Sequence, residues 1–183
     1  MPRHVSRAGR KRHLCFRFRY VSAEWDGLTD HSPLVSVVLS WKGKSLYTKM
    51  LFDTGATTTF LQPWVADFLG LELEGEAIEA NGAGGRLRVR ASSVEIRIKK
   101  GGQEGTTHVC PVQVTVEQDA IPYGVLGRNF MHWYEVTIRQ AREEIVIREV
   151  GDHPGLPSGV GGTAVSILTT AQDEPPAPAS KSV

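Results

Sequence analysis

Residues 50–61 read Met-Leu-Phe-Asp-Thr-Gly-Ala-Thr-Thr-Thr-Phe-Leu, or MLFDTGATTTFL. An apolar run ends on Asp53, and small residues follow at once. Asp-Thr-Gly alone often forms a turn, with the Asp bonding its own backbone and the Gly at positive φ. Here the apolar residues before the acid imply burial. The Thr-rich segment after it supplies hydroxyls rather than cations. A carboxylate buried without a cation must have its pKa raised or accept several hydrogen bonds. Groups perturbed in this way cluster at functional sites, which makes Asp53 the first candidate catalytic residue.

The flanks read as strands. Leu34 to Trp41 is β-branched and apolar, Lys42-Gly43-Lys44 is a tight turn, and Ser45 to Phe52 is the return strand. Gln62 to Leu71 predicts a short helix, with Pro63 at its first position, Val65, Phe68 and Leu69 on one face, and Gly70 as its cap. ANGAGG at 80–85 is the most flexible interior stretch. Leu87 to Ile98 and Thr106 to Val116 read as strands around a hairpin loop, KKGGQEG, at 99–105. Val125-Leu126 leads into Gly127-Arg128-Asn129, and Asn129 to Trp133 predicts one helical turn. Val136–Ile138 and Ile145–Ile147 close the domain as a hairpin. Leu14 to Tyr20 alternates with period 2, and residues 22–33 are polar and read as a loop. Strands at this spacing predict an all-β domain, closed or sandwiched. The expected organisation is a basic N-terminal arm and edge strand over 1–33, a folded domain over 34–150 and a tail over 151–183. The tail holds five of the ten prolines and ends in DEPPAPASKSV, a composition unable to bury a core.

Composition limits the function. The 183 residues carry a net charge of +1, so no global field points to nucleic acid. The positive charge is concentrated in Arg3, Arg7, Arg10, Lys11, Arg12, Arg17 and Arg19, a run more typical of a solvated tail than of a phosphate-binding surface. Cys15 and Cys110 form neither a disulfide framework nor a metal pair. The six histidines show no ligand spacing, so neither metal nor cofactor is expected. Gly82-Ala83-Gly84-Gly85 precedes a strand, not a helix, and is not a dinucleotide loop. No run is long enough for a membrane span, and no apolar segment follows the basic N-terminus; the expected location is cytoplasmic.

Leu51-Phe52-Asp53-Thr54-Gly55-Ala56 resembles the active-site motif of the retropepsin-like aspartic proteases. Gly124-Val125-Leu126-Gly127-Arg128-Asn129-Phe130 is similar to that family's apolar-apolar-Gly-Arg-Asn segment. Asn81 to Gly85 resembles the tip of its flap hairpin, and the three occur in the family's order. The resemblance implies a closed acid-protease barrel, single-lobed, with a flap and one or two short helices. It implies Asp53 as catalytic acid/base, with Thr54, Gly55 and Ala56 supporting its loop. Gly82, Ala83, Gly84 and Gly85 would form a flap over substrate, and Gly127, Arg128 and Asn129 a structural motif near the site. With one Asp-Thr-Gly per chain, the implied enzyme is a homodimer sharing an Asp53 pair and cleaving extended peptides. Viral members commonly carry an acid after Asp-Thr-Gly-Ala that pairs with the downstream Arg. Thr57 stands there instead, which leaves Arg128 in need of another partner. The rival expectation is a catalytically idle dimer that binds extended peptides. A nucleic-acid adaptor rests on the basic arm alone.

Overall fold

Alternation of apolar and polar residues writes most of the strands, and one face of each turns into a common core. The computed structural model describes residues 14–25, 28–82 and 85–150; the basic arm before residue 14, the loop tip at Ala83–Gly84 and the tail from 151 lie outside the described residues. In chain order the elements are β1 (Cys15–Arg19), β2 (Val21–Trp25), β3 (Leu28–Ser32), β4 (Leu34–Trp41), β5 (Lys44–Phe52), β6 (Thr59–Leu61), α1 (Pro63–Leu69), β7 (Glu74–Gly82), β8 (Gly85–Lys100), β9 (Gln103–Glu104), β10 (His108–Thr115), β11 (Val125–Leu126), α2 (Arg128–Met131), β12 (Tyr134–Arg139) and β13 (Glu144–Glu149). Lys42 and Gly43 both take positive φ, the conformation of a two-residue hairpin turn, and join β4 to β5.

Six strands close on themselves in the order β10-β6-β11-β5-β4-β8, and β8 pairs back onto β10. The barrel interior holds Val37, Leu39, Met50, Phe52, Ile96 and Leu126, all buried. The long β8 outruns the barrel. Its first half pairs with β7 as a projecting hairpin, closed by a Gly82–Gly85 pair. Opposed residues of an antiparallel pair share a face. Ile78 with Val89 and Ala80 with Leu87 therefore line one side of this hairpin, and Glu79 with Arg88 and Asn81 with Arg86 line the other.

Three differences from the sequence reading have physical causes. Residues 22–33 form a hairpin, β2 and β3, rather than a loop. It is polar because it is held by edge contacts: the Tyr20 N–H donates to Glu143 O at 2.7 Å, and His31 Nδ1 lies 2.8 Å from a Glu143 carboxylate oxygen. β7 is not read from its own residues; only the resemblance to a flap hairpin implies a strand there. Its sequence, EGEAIEANG, has no core face because the hairpin stands clear of the barrel. On α1 the inward residues are Val65, Ala66 and Leu69, whereas Phe68 is 52% exposed.

β1 pairs with β13 in register and adds Phe16 and Phe18 to the core, so the first strand belongs to the same packed unit as the barrel. Glu144, at the start of β13, faces Arg19 on one side and Arg139 on the other. Its side chain is almost wholly covered. Arg139 donates to its Oε2 at 3.0 Å, and Arg17 reaches the same oxygen at 3.3 Å. Burial pushes this carboxyl up, but the hydrogen bond from Arg139 and the charges of Arg17 and Arg139 outweigh it, so its pKa is held below the ordinary value. A lowered folded pKa gives stability that is present above the unfolded value of about 4.3 and is lost as the pH falls through the folded value. Glu144→Gln should therefore melt below wild type at neutral pH, and the two melting curves should converge in acid, as followed by circular dichroism.

Candidate active site

The short strand β11 lies between β5 and β6, parallel to the first and antiparallel to the second. The chain leaving β5 must therefore cross the end of β11 to reach β6. Residues 53–58 are that crossing, and Asp53 is its first residue. The Asp53 N–H donates to Leu126 O at 3.1 Å, which carries the β5–β11 ladder one step past the strand end. The Gly55 N–H donates to Asp53 Oδ1 at 2.8 Å, and the Ala56 N–H to Asp53 O at 3.3 Å.

The loop's other support is the turn that follows β11. The Arg128 N–H donates to Ala56 O at 2.9 Å and the Asn129 N–H to Thr57 O at 3.2 Å. The first amides of α2 have no partners within their own helix, so the loop carbonyls satisfy them. Gly127 passes directly against Thr58. A Cβ built there would lie 2.4 Å from both the carbonyl carbon and oxygen of Thr58. Beneath the crossing, Thr59 is completely buried. Its hydroxyl accepts the Gly127 N–H at 3.1 Å and donates to Asn129 Oδ1 at 2.8 Å. Asn129 Nδ2 in turn donates to Pro111 O at 2.7 Å and lies 3.5 Å from Cys110 Sγ.

Asp53 is half-buried rather than buried, and Thr54 and Gly55 at the loop's tip are exposed. The apolar run before the acid points into the barrel, but the run stops where the strand leaves it. Among the described residues no cation lies within ion-pair distance of Asp53, and Arg128 has no carboxylate partner; its side chain is exposed. Gly127 and Asn129 come together with Asp53, Gly55 and Ala56 through the contacts above. Gly82 and Gly85 sit at the far end of the β7–β8 hairpin, and Ala83 and Gly84 lie outside the described residues. Thr59, Cys110 and Pro111 were not anticipated. The available signal for Thr59 was its two-residue spacing from the buried Leu61, which sets it inward, apart from Thr58. No group of His, Cys, Asp and Glu among the described residues could hold a metal ion, and no helix among them is long and apolar enough to cross a membrane.

A closed barrel whose Asp-Thr-Gly loop crosses a Gly-Arg-Asn turn has the architecture of an acid-protease lobe. Residues 37–130, more than half of the chain, match the family described as Aspartyl protease, and the chain belongs to that family. No curated protein sequence matches it. Two similar solved structures are the EIAV protease complexed with the inhibitor HBY-793, and a retropepsin-like aspartic protease from Rickettsia conorii. The first is 24% identical with a TM-score of 0.42, over 55% of this chain and 85% of that one. The second is 14% identical with a TM-score of 0.47, over 75% of this chain and 93% of that one.

Two measurements check the geometry beneath the loop. Gly127→Ala should cost at least about 3 kcal/mol in denaturant unfolding, the upper end of the overpacking range, because the obstacle is backbone. Burial pushes the Cys110 thiol up to about 12, against a smaller opposing effect of its contact with Thr59. The thiolate is the reactive form, so in the native protein a thiol reagent should label only the exposed Cys15, and Cys110 only after denaturation.

Proposed function

We propose that two copies of this chain form an aspartic endopeptidase, each contributing one Asp53 to a shared pair. The observation that carries this reading is the contrast within one loop. Residues 56–59 are clamped by backbone and side-chain hydrogen bonds, yet Asp53 is half-buried and Thr54 and Gly55 face outward at the tip. A rigid loop that presents an acid at an open face, once per chain, is half of a site. A two-fold axis through that face supplies the other half.

The mechanism then follows from the pair. Two carboxylates at hydrogen-bond distance cannot both ionise, so they share one proton, and their titrations belong to the pair. The ionised carboxylate removes a proton from a bound water as its oxygen attacks the peptide carbonyl carbon. The protonated carboxyl gives its proton to the carbonyl oxygen. Collapse of the tetrahedral intermediate breaks the C–N bond: the nitrogen takes a proton from one carboxyl as it leaves, and a hydroxyl of the intermediate returns its proton to the other, which restores the shared proton. No covalent enzyme intermediate forms. The Gly55 N–H steadies its Asp53 carboxylate, Thr54 is assigned the contact to the partner's loop, and Ala56 keeps the cleft floor low. The hairpin tip at Gly82–Gly85 acts as a flap that closes over an extended peptide and excludes water. Gly127, Arg128 and Asn129 hold the loop from behind. Residues 34–150 are assigned to the protease domain, residues 1–33 to the arm and edge strand, and 151–183 to a tail.

Wild-type chains co-refolded with an equal amount of Asp53→Asn chains test the pair. Random pairing leaves about one quarter of the dimers with two acids, so peptide cleavage should drop to about one quarter of that of undiluted wild type. A fall to one half, in proportion to dilution, sinks the shared pair. Peptide affinity without turnover, kept in Asp53→Asn, identifies a binding module instead.

A further inference from the structure

We propose that Thr59 is a positioning residue for Asp53: its buried hydroxyl, rather than its bulk, fixes the Gly-Arg-Asn turn beneath the loop and thereby sets where the carboxylate stands. This rests on the protease reading above. The direction of each hydrogen bond can be assigned without ambiguity. The Phe130 N–H, which can only donate, lies 3.0 Å from Asn129 Oδ1, so that atom is the amide oxygen. The amide nitrogen then faces Pro111 O at 2.7 Å, where a donor is required. Thr59 Oγ1, 2.8 Å from the Asn129 oxygen, must send its proton there, which leaves its lone pairs for the Gly127 N–H at 3.1 Å. The hydroxyl thus donates to Asn129 and accepts from the Gly127 N–H, with the Cys110 thiol at 3.9 Å as a weak further donor.

From Thr59 the connection to Asp53 has two arms. Through Gly127 it reaches Leu126, whose carbonyl accepts the Asp53 N–H. Through Asn129 and Arg128 it reaches Thr57 O and Ala56 O, the downstream part of the same loop. The hydroxyls of Thr54, Thr57 and Thr58 make no hydrogen bond to the turn among the described residues, so the Thr59 hydroxyl, where the β5–β6 crossing ends, is the side-chain tie to the turn below it. Two carboxylates that share a proton tolerate little displacement, since an error of about 1 Å can cost about a hundredfold in rate. Valine matches threonine in shape but neither donates nor accepts, and serine does both without the methyl group.

The test is steady-state cleavage of a peptide substrate per titrated active site, with melting temperatures recorded in parallel. Thr59→Val should lower kcat at least about tenfold with KM within about twofold, and Thr59→Ser should restore most of kcat. Wild-type kcat in Thr59→Val, or an equal loss in Thr59→Ser, overturns the proposal. If Thr59→Val does not fold, Asn129→Ser, which withdraws the hydroxyl's acceptor, should lower kcat at unchanged KM; an unchanged kcat there overturns it as well. A wild-type protein that cleaves nothing defeats the protease reading itself, and is distinct from either result.

Discussion

The insertion of β11 between β5 and β6 is the constraint on which the rest of the structure depends. A two-residue strand has too little ladder to hold its own place. It is fixed by a neighbour on each side, by the Leu51 N–H donating to Gly124 O at 2.8 Å, and by the crossing of residues 53–58 over its end. That crossing forces backbone against backbone at Thr58 and Gly127, where no side chain fits. It also buries the Gly127 amide next to the barrel core, and a buried amide without a partner costs about 1–3 kcal/mol. The Thr59 hydroxyl and the Asn129 side chain meet that demand, so they are as much a consequence of the topology as the loop is.

The same topology places the acid. β5 runs out of the barrel at Phe52, which is buried, and the next residue is half-buried. A carboxylate one residue beyond the end of a core strand has its backbone held by the sheet while its side chain leaves the apolar interior. Its backbone position is therefore set by the barrel sheet, although its side chain stands near the surface. On the proposed reading that surface is the face between two copies, and the exposed Thr54 and Gly55 are the residues closest to the second one.

The sequence makes the parts with a core face legible. β1 follows from alternation, β4 and the start of β13 from apolar runs, and α1 from Pro63 and Gly70. Asp53 and Gly127 were legible through motif and spacing. Where no core face exists, alternation has nothing to record: Ile78 is the only large apolar residue of β7 and is 59% exposed. The hairpin at 21–32 has a polar sequence, and the contacts that tie its ends are a backbone amide and an exposed His31–Glu143 contact. The exposure of Asp53 was misread because an apolar run shows where a strand is buried but not at which residue it emerges. Thr59 was hidden as the last of three consecutive threonines. Its role belongs to a pairing with Asn129, 70 positions away, that no local pattern encodes.

The replacement of an acid by Thr57 after Asp-Thr-Gly-Ala then acquires a physical sense. An ion pair between that position and Arg128 would weaken as its carboxylate took up a proton in acid. The clamp found here consists of a hydroxyl, a carboxamide and backbone amides, none of which titrates over the range in which a carboxylate pair exchanges its proton. Cys110, an ionisable group that touches it, is kept protonated by its burial. Arg128 contributes its backbone N–H and leaves its guanidinium exposed, so the loop does not depend on that charge. An acid-base site gains from a support whose geometry is independent of pH, because its pH dependence then reflects the reacting carboxyls alone. That independence is achieved with neutral hydrogen bonds, and it requires that each of them be made, since a buried network with one missing partner is worse than none.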